Sequence, residues 1–407
     1  MAKRRSKTDS MDGVEVDGQL VKNCPEGRRR AEASAASENA EASANGLRTE
    51  VVPAAVLGLS RNLVVCRATR KSKLIKLEDG STDAETVCRS RMWDLMIGFG
   101  PCGLGCRGCC LMNTVRQMAG TWNHILYDNG EKFWKATRRW LADAGRRPTD
   151  VLGLGAHHSD TLLYEGVTGH ARHVVPMFAN PKTNPQGCKL LLLTKTANVH
   201  YLEGLPTDNV IASFSLNPEP IADLWEGKWP DTQERITPSI ARRLDACLAA
   251  QQMGFETRWR LDPVLFPEGW QDHYRDFVRT AAGMGIRPRQ ITLGTFRDVN
   301  RSLPTWAEKR GLPAMEWLPG GTVREGTHFR PTVEQRLPVY RQVIEYCRQY
   351  LPDSNIGLCK ETPAVRQQLG LANSCCNCAA MAPTASQRGE TPEFVPLSDL
   401  TATAVAM

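Results

Sequence analysis

The chain has 407 residues, of which 41% are apolar and 23% charged, and its formal net charge is +7. No run approaches the roughly 18 consecutive apolar residues that a membrane-spanning helix needs, and the N-terminus lacks the apolar stretch of a signal peptide. With no such signal, its fourteen cysteines favour a reducing compartment, hence the cytoplasm, and metal ligation over disulfides.

The two ends of the chain differ in composition from its centre. Residues 1–50 are rich in Ala, Ser, Glu and Gly, which predicts a disordered tail. Residues 51–90 form a lead-in segment and 91–330 the main domain. We assign 331–378 to a helical, cysteine-rich C-terminal extension and 379–407 to a flexible tail.

Strands and helices alternate between the tails. Buried parallel strands are predicted at 92–99, 151–156, 189–194, 210–216, 257–261 and 289–293. The clearest helix covers 238–253, with Thr237 as N-cap and Gly254 as C-cap, and another covers 270–284. This alternation predicts an α/β fold with a parallel sheet, and six strands predict a partial (β/α)6 barrel of TIM type. The active sites of such barrels lie at the C-terminal ends of the strands.

Three cysteines form the most informative motif. Cys102, Cys106 and Cys109 are spaced C-x3-C-x2-C in a glycine-rich loop that directly follows the first predicted strand. Three thiolates so spaced can hold three irons of a [4Fe–4S] cube and leave the fourth iron open. An open coordination site lets a metal bind and activate a small molecule. The spacing alone is also compatible with a zinc loop or with cysteines that are merely buried.

The motif and its position resemble those of the radical S-adenosylmethionine (SAM) enzymes. The resemblance implies a [4Fe–4S] cluster on Cys102, Cys106 and Cys109, with SAM chelated by the open iron. It further implies that reduction cleaves SAM to a 5′-deoxyadenosyl radical, with electrons from a donor such as flavodoxin or ferredoxin.

Later segments, taken in order, resemble the spore photoproduct lyase family over residues 90–300. They are His158-Ser159-Asp160, Leu193-Thr194-Lys195, Ser213 to Asn217, Leu261 to Val264 and Ile291 to Thr295. Gly357 to Glu361 and Cys376 to Cys378 are similar to a C-terminal extension of lyase-like relatives. The resemblance implies a lyase-like enzyme of DNA repair that reverses a thymine–thymine photolesion.

Six polar residues at predicted strand ends are candidates for binding SAM: Ser159, Asp160, Lys195, Ser213, Ser215 and Asn217. Ser159 and Asp160 could bond the ribose or amino group, and Lys195 could reach the carboxylate as a point charge. Ser213 and Asn217 could instead cap the following segment, and Lys195 could be a solvated loop lysine.

The chain departs from the lyase pattern at the reacting groups. The resemblance implies a hydrogen-donating cysteine just before the Ser-Asp pair, where this sequence has His157 followed by His158. Imidazole is a poor hydrogen-atom donor because its N–H bond is much stronger than a thiol S–H bond. The lyases also carry tyrosines at the positions of Gly108 and Cys110. Either Cys110 has become the donor, or it is a packing cysteine and the enzyme runs another reaction. The two histidines suit proton transfer or substrate binding.

A second group of cysteines lies in the C-terminal extension. Cys359, Cys375, Cys376 and Cys378 fall within twenty residues, and thiolates from two nearby loops suit an auxiliary iron–sulfur cluster or zinc. The alternative is a tail with incidental thiols.

The resemblance implies DNA or another nucleobase-containing molecule as substrate. Arginines near the strand ends alternate with Trp259 and Phe296 and could contact phosphates while the rings stack on bases; they are Arg258, Arg260, Arg287, Arg289, Arg297 and Arg301. One alternative is a radical SAM enzyme that modifies a nucleotide, a peptide or a small metabolite. Another is a non-enzymatic iron–sulfur or zinc protein that binds nucleic acid or a partner protein.

Overall fold

The computed structural model describes residues 20–22, 48–71, 73–79, 91–100, 102–106, 108–109, 124–228, 234–299, 321–325, 328–374 and 376–379. The predicted disordered N-terminal tail lies outside these residues except for 20–22 and 48–50. The predicted C-terminal tail lies outside them except for Ala379. No described helix is long and apolar enough to cross a membrane.

The described strands are β1 Leu20–Lys22, β2 Arg48–Val52, β3 Arg61–Ala68, β4 Ile75–Asp79, β5 Arg91–Leu95, β6 Gly98–Phe99, β7 His124–Tyr127, β8 Val151–Leu154, β9 Lys189–Thr194, β10 Val210–Ser215, β11 Glu256–Val264, β12 Gln290–Thr295, β13 Asp298–Val299, β14 Val323–Glu325, β15 His328–Arg330 and β16 Asn355–Leu358. The described helices are α1 Ala54–Leu57, α2 Glu131–Ala142, α3 Glu165–Thr168, α4 His170–Ala179, α5 Glu219–Trp225, α6 Ile240–Gln252, α7 Trp270–Gly283, α8 Val333–Tyr350 and α9 Pro363–Gln368, with a 3-10 turn at Val199–Leu202.

The main sheet has the order β16-β12-β11-β10-β9-β8-β5-β4. Its strands from β5 to β16 are all parallel, and β4 is antiparallel to β5 at one edge. Within the described residues the sheet ends at β4 and β16, so the barrel is open. The predicted fold class is confirmed, and β16 adds a seventh parallel strand from the segment that we assigned to the C-terminal extension.

The predicted strand 92–99 is divided between two sheets. Residues up to Leu95 form β5, the backbone bends where the Ile97 amide bonds the Leu95 carbonyl (2.8 Å), and β6 then pairs with β7 in a second sheet. This second sheet has the order β1-β3-β7-β6, with β2 also on β3. The cysteine loop therefore leaves from the second sheet.

The helix predicted at 238–253 is α6, and its cap differs from the prediction. Ser239 is the N-cap, since its side chain accepts the Arg242 amide. Thr237 instead donates to the Glu226 carboxylate. Ser, Thr, Asp and Asn all cap well, so only the tertiary partner of Thr237 decides between the two positions.

Alternating residues of the parallel strands separate two cores. Leu152, Leu190 and Phe214 belong to the large cluster between the sheet and the helices, which we call the outer core. Met92 and Leu191 belong to a smaller cluster on the opposite, inner face of the sheet. That inner face lines the hollow side of the open barrel, which we call the lumen.

Candidate functional site

The cysteine loop packs tightly against the second sheet and against Tyr164, which follows β8. Gly103 has φ +90°, and a Cβ there would lie 2.5 Å from the Tyr164 hydroxyl oxygen. That hydroxyl donates to the carbonyl of Cys102 over 2.8 Å. Glycine is required here for both the backbone conformation and the close approach.

The second half of the loop rests on Trp225 at the end of α5. A Cβ on Gly108 would lie 2.3 Å from the indole of Trp225, and the Gly108 amide donates to the Trp225 carbonyl over 2.9 Å. The loop is thus fixed at both ends. Cys110, our candidate hydrogen donor, lies outside the described residues.

The three loop thiols are close enough to influence one another. Burial raises the pKa of Cys102 well above its usual value, and Asp160, Cys106 and Cys109 raise it further. Burial raises the pKa of Cys106 to about 12, and Glu226 adds to this while Lys195 opposes it. A metal must therefore displace protons from these thiols when it binds.

This donor set fits an iron–sulfur cube with one open iron. Among the described residues no three metal-binding side chains converge on a single ion position. A cube takes each thiolate on a different iron, so its ligands stand around a cluster instead of one ion.

Asp160 joins the ends of two strands. Its carboxylate accepts hydrogen bonds from the amides of Leu162 (3.2 Å), Leu163 (3.1 Å) and Lys195 (2.6 Å) and from the hydroxyl of Thr194 (2.7 Å). Burial raises its pKa, and these donors oppose that effect. With its oxygens so engaged, Asp160 positions the loops after β8 and β9.

Ser159 connects the end of β8 to the cysteine loop. Its hydroxyl lies 3.0 Å from Nε2 of His124, and the His124 ring stacks on Tyr164 with centroids 5.2 Å apart. Tyr164 in turn holds Cys102, so these contacts form a continuous path from Ser159 to the cysteine loop.

Lys195 lies in a buried ionic group beside the loop. Its Nζ donates to Ser215 and to Glu226, each over 2.9 Å. Burial alone would lower its pKa, but Glu226 outweighs burial and raises it. Lys195 is therefore an ammonium ion at neutral pH, not a solvated loop lysine.

Glu226 balances two cations at once. It accepts a bidentate pair of hydrogen bonds from Arg243, which is fully buried, besides the bond from Lys195. Burial would raise its pKa, but Arg243 and Lys195 hold the pKa well below its usual value. Sequence reasoning missed Glu226 and Arg243 because neither lies in a motif or at a strand end.

Ser213 and Asn217 bond other parts of the protein. Ser213 donates to the side-chain oxygen of Asn377 over 2.9 Å. Asn217 donates to the Pro263 carbonyl (3.1 Å) and accepts from the Tyr274 hydroxyl (3.1 Å). Of the six predicted SAM-binding residues, Lys195 and Ser215 are the pair brought together beside the cysteine loop.

The two histidines after β8 are organised by Asp94 of β5. The buried Asp94 carboxylate accepts the amides of Ala156 (2.9 Å) and His157 (3.2 Å). It also lies 3.0 Å from Nδ1 of His158, whose ring stacks on Phe99. The His157 ring points to the lumen, where its Nε2 is 3.6 Å from Sγ of Cys378. An acidic residue in an otherwise apolar strand was the signal that could have revealed Asp94.

Residues 376–379 insert into the lumen. The buried Arg258 donates to the carbonyls of Asn377 (2.7 Å) and Ala379 (2.6 Å). Cys376 and Cys378 pack in the inner cluster with Met92. Cys376 and Cys378 are thus part of the barrel interior.

The structure describes three of the four residues of the predicted auxiliary metal set. Cys359 lies at the end of β16, with Sγ 3.6 Å from Arg260 Nη2 and 3.8 Å from Arg297 Nη2. Cys375 lies outside the described residues. The described members do not form a group of three metal ligands, and an auxiliary cluster or zinc stays a prediction.

The predicted base-stacking face is wrong in the described region. Trp259 and Phe296 are 0% and 1% exposed and pack in the outer core. Arg260 and Arg297 both pair with the buried Asp262 (2.9 and 2.8 Å). The alternation Arg258-Trp259-Arg260 is that of a strand with one apolar and one polar face, and Arg301 lies outside the described residues.

Comparison with known proteins gives a fold but no sequence family. No protein-family model matches the chain, and no curated protein matches it. Solved structures of spore photoproduct lyase are similar to it. A Cys-to-Ala variant with dinucleoside spore photoproduct has a TM-score of 0.56 and 16% identity, covering 72% of this chain and 80% of that chain.

Two further lyase structures agree. A doubly substituted form with bound AdoMet and dinucleoside spore photoproduct has a TM-score of 0.56 and 16% identity, covering 73% and 82% of the two chains. A Cys-to-Ser variant has a TM-score of 0.54 and 18% identity, covering 72% and 80%. At these identities the likeness shows a shared fold.

Proposed function

We propose that this protein is a radical SAM enzyme related to spore photoproduct lyase, with a nucleobase-containing substrate. One observation carries the proposal: the C-x3-C-x2-C loop is buried against Tyr164 and Trp225, at the strand ends of this fold and beside the Lys195 ammonium ion. A zinc loop or three packing cysteines would not require that cation.

Cys102, Cys106 and Cys109 would hold the [4Fe–4S] cluster. When bound to the reduced cluster, SAM supplies a 5′-deoxyadenosyl radical that abstracts a hydrogen atom from carbon. Lys195 and Ser215 would bind the anionic end of the cofactor, since a buried ammonium ion attracts a carboxylate strongly. Glu226 keeps Lys195 charged.

The remaining candidate residues support this arrangement. Asp160 fixes the two loops on which Ser159 and Lys195 stand. Ser213 and Asn217 act through the C-terminal segment and α7, respectively. Asp94 orients His157 and His158 toward the lumen, where they would bind substrate or move a proton.

Three solved lyase structures of this fold contain dinucleoside spore photoproduct, which supports a thymine-lesion substrate. The lyase pattern has a cysteine at the position of His157 and a tyrosine at the position of Gly108. These two differences favour, as a second candidate, a related reaction on a base or nucleotide. We expect a flavodoxin or ferredoxin as electron donor and the cytoplasm as location.

The test is anaerobic reconstitution with iron and sulfide, reduction, and measurement of 5′-deoxyadenosine formed from SAM. Dinucleoside spore photoproduct, ultraviolet-irradiated DNA, intact DNA and no substrate are compared. We expect formation of 5′-deoxyadenosine that is highest with a lesion and falls by at least about 100-fold in Cys102→Ala, because the loss of a direct iron ligand should cost no less than the loss of an outer-shell residue.

Cys347→Ala is the matched control, because Cys347 is buried in the outer core and far in sequence from the loop. Its turnover should equal that of wild type. If the cluster forms but SAM is not cleaved, the proposed enzymatic activity is refuted. That result would favour a non-enzymatic iron–sulfur protein that binds nucleic acid or a partner protein. If the rate of 5′-deoxyadenosine formation is the same with and without every nucleic acid, the substrate would be a peptide or a small metabolite. Iron and zinc counts test the auxiliary centre.

A further inference from the structure

The described cysteines fall into separate environments. Three form the loop described above, Cys66 lies in the second sheet, and three are in the outer core. Only Cys359, Cys376 and Cys378 remain, and they lie on the inner side of the main sheet. These are the described thiols that a substrate in the lumen could meet.

The three differ in their chemical partners. Cys359 follows β16 at the edge of the main sheet, beside the guanidinium groups of Arg260 and Arg297, and lies four strands away from β9 and farther still from β8, on the other side of β10. Cys376 lies among apolar side chains from the starts of the strands, such as Met92 and Val151. Cys378 reaches the C-terminal end of β8, where its Sγ lies 3.6 Å from Nε2 of His157.

The lumen around Cys378 also offers unused hydrogen-bonding groups. Nδ2 of Asn377 and Oγ1 of Thr292 have no hydrogen-bond partner within the described part of the chain, although both residues are 1% exposed. Thr292 lies beside Arg260 in the sheet. Buried polar groups without partners are costly, so they point to a polar ligand, such as a base with carbonyl groups, in this layer.

We infer that Cys378 is the hydrogen-atom donor of the proposed reaction, instead of a ligand of the predicted auxiliary centre, and that His157 positions it. The inference rests on the proposed function and adds a residue to the same site. A carbon-centred product radical must gain a hydrogen atom, and the S–H bond is weaker than the N–H and O–H bonds of the neighbouring side chains. The C-terminal segment thus brings a thiol to the strand end occupied by His157.

The step is balanced. The S–H bond of Cys378 breaks homolytically, a C–H bond forms on the product, and the unpaired electron remains on sulfur. A low-potential one-electron donor of the flavodoxin or ferredoxin class reduces this thiyl radical to a thiolate. The thiolate regains its proton from water, on the side where Nε2 of the half-buried His157 lies.

The experiment uses the full reconstituted chain with dinucleoside spore photoproduct in D2O. The Cys378 thiol exchanges its hydrogen with solvent, so wild type should yield repaired dinucleoside that carries one deuterium. Cys378→Ala should still cleave SAM but form at least about tenfold less deuterated product. A tenfold lower rate corresponds to an activation free energy that is higher by about 1.4 kcal/mol. Cys347→Ala should behave as wild type.

A rescue variant separates a missing thiol from a disturbed fold. In Cys378→Ala/His157→Cys a thiol returns to the same part of the lumen, and deuterated product should recover at least partly. Equal yield and deuterium content in wild type and Cys378→Ala would overturn the inference while leaving the proposed function intact. No 5′-deoxyadenosine from wild type with any substrate would overturn both.

A readout without cofactor tests the contact itself. In the metal-free protein, the ring NMR signals of His157 should shift in Cys378→Ala and stay unchanged in Cys347→Ala. Identical His157 signals in all three proteins would show that Cys378 does not contact His157, and would also overturn the inference.

Discussion

Glu226 shows how a single residue sets the charge of the site. Its carboxylate is 1% exposed, and the Arg243 side chain that it binds is fully buried. Lys195, predicted from its strand-end position, reaches the same carboxylate. The sequence suggests the lysine, but its charged state depends on an acid 31 residues away in the chain.

Replacing Glu226 by Gln should lower the free energy of unfolding by about 3–5 kcal/mol, because two buried cations lose their counter-charge. The pKa of Glu226 is lowered by folding, so its stabilisation is present above pH 4.5 and is lost as the pH falls below that value. Urea unfolding of the metal-free protein at pH 7 and pH 4 measures both effects.

Glu131→Gln is the matched control. Glu131 pairs with Lys135 on the exposed surface of α2, and such pairs contribute little to stability. It should leave the urea midpoint unchanged. An equally small effect of Glu226→Gln would mean that Lys195 and Arg243 do not depend on this carboxylate.

The start of α4 shows how one helix is held by the helices before it. The Glu165 carboxylate of α3 accepts the amides of Ala171 (2.9 Å) and Arg172 (3.3 Å), as an N-cap would. Burial raises the pKa of Glu165 to about 7. Helix α4 begins with His170, whose ring packs edge to face with the Phe133 ring of α2, with the two centroids 5.4 Å apart.

His170 should make the protein acid-sensitive. Burial lowers its pKa to about 4, with Arg67 and His173 contributing. A lowered pKa of a base means that its stabilisation is full above pH 6.5 and is lost as the pH falls toward 4. Wild type should lose about 2–3 kcal/mol through this group between pH 7 and pH 4.5.

His170→Leu removes the titrating ring and keeps an apolar side chain of similar size. The difference between the unfolding free energies at pH 7 and pH 4.5 should shrink by that amount. Parallel pH profiles of wild type and His170→Leu would refute the assignment.

At the scale of the whole molecule, the C-terminal segment completes the barrel interior. Arg258 is fully buried and binds the carbonyls of Asn377 and Ala379, while Ser213 holds the Asn377 side chain. Strand β16 from the same part of the chain extends the main sheet through β12. The extension is therefore integral to the fold.

Ending the chain at Ser374 should lower the free energy of unfolding by about 2–5 kcal/mol, because a buried cation loses two acceptors. Arg258→Met in the shortened chain should restore part of this, since it removes the buried guanidinium group that has lost two carbonyl acceptors and, among the described residues, keeps only Glu256. Ending the chain at Ala379 keeps the acceptors and should change nothing. Equal thermal unfolding of both shortened chains would argue against the insertion.

The sequence by itself determined the parallel α/β sheet and the cysteine loop. Strands such as β9 are continuous apolar runs, and the C-x3-C-x2-C spacing is local, so both are readable without tertiary contacts. The division of residues 92–99 between two sheets could not be predicted, because the whole segment has the composition of a strand. The N-cap at Ser239 could not be predicted either, because Thr237 is nearly as good a capping residue.

Only the tertiary structure decided which side chains meet. Glu226 joins Lys195, Asp94 orients His157, and Cys378 reaches His157 across 221 residues of chain. Such pairs depend on strand order and on where the C-terminal segment enters the lumen. Local pattern fixes which face of a strand a residue occupies, whereas contacts between distant segments arise from the packing of the whole chain.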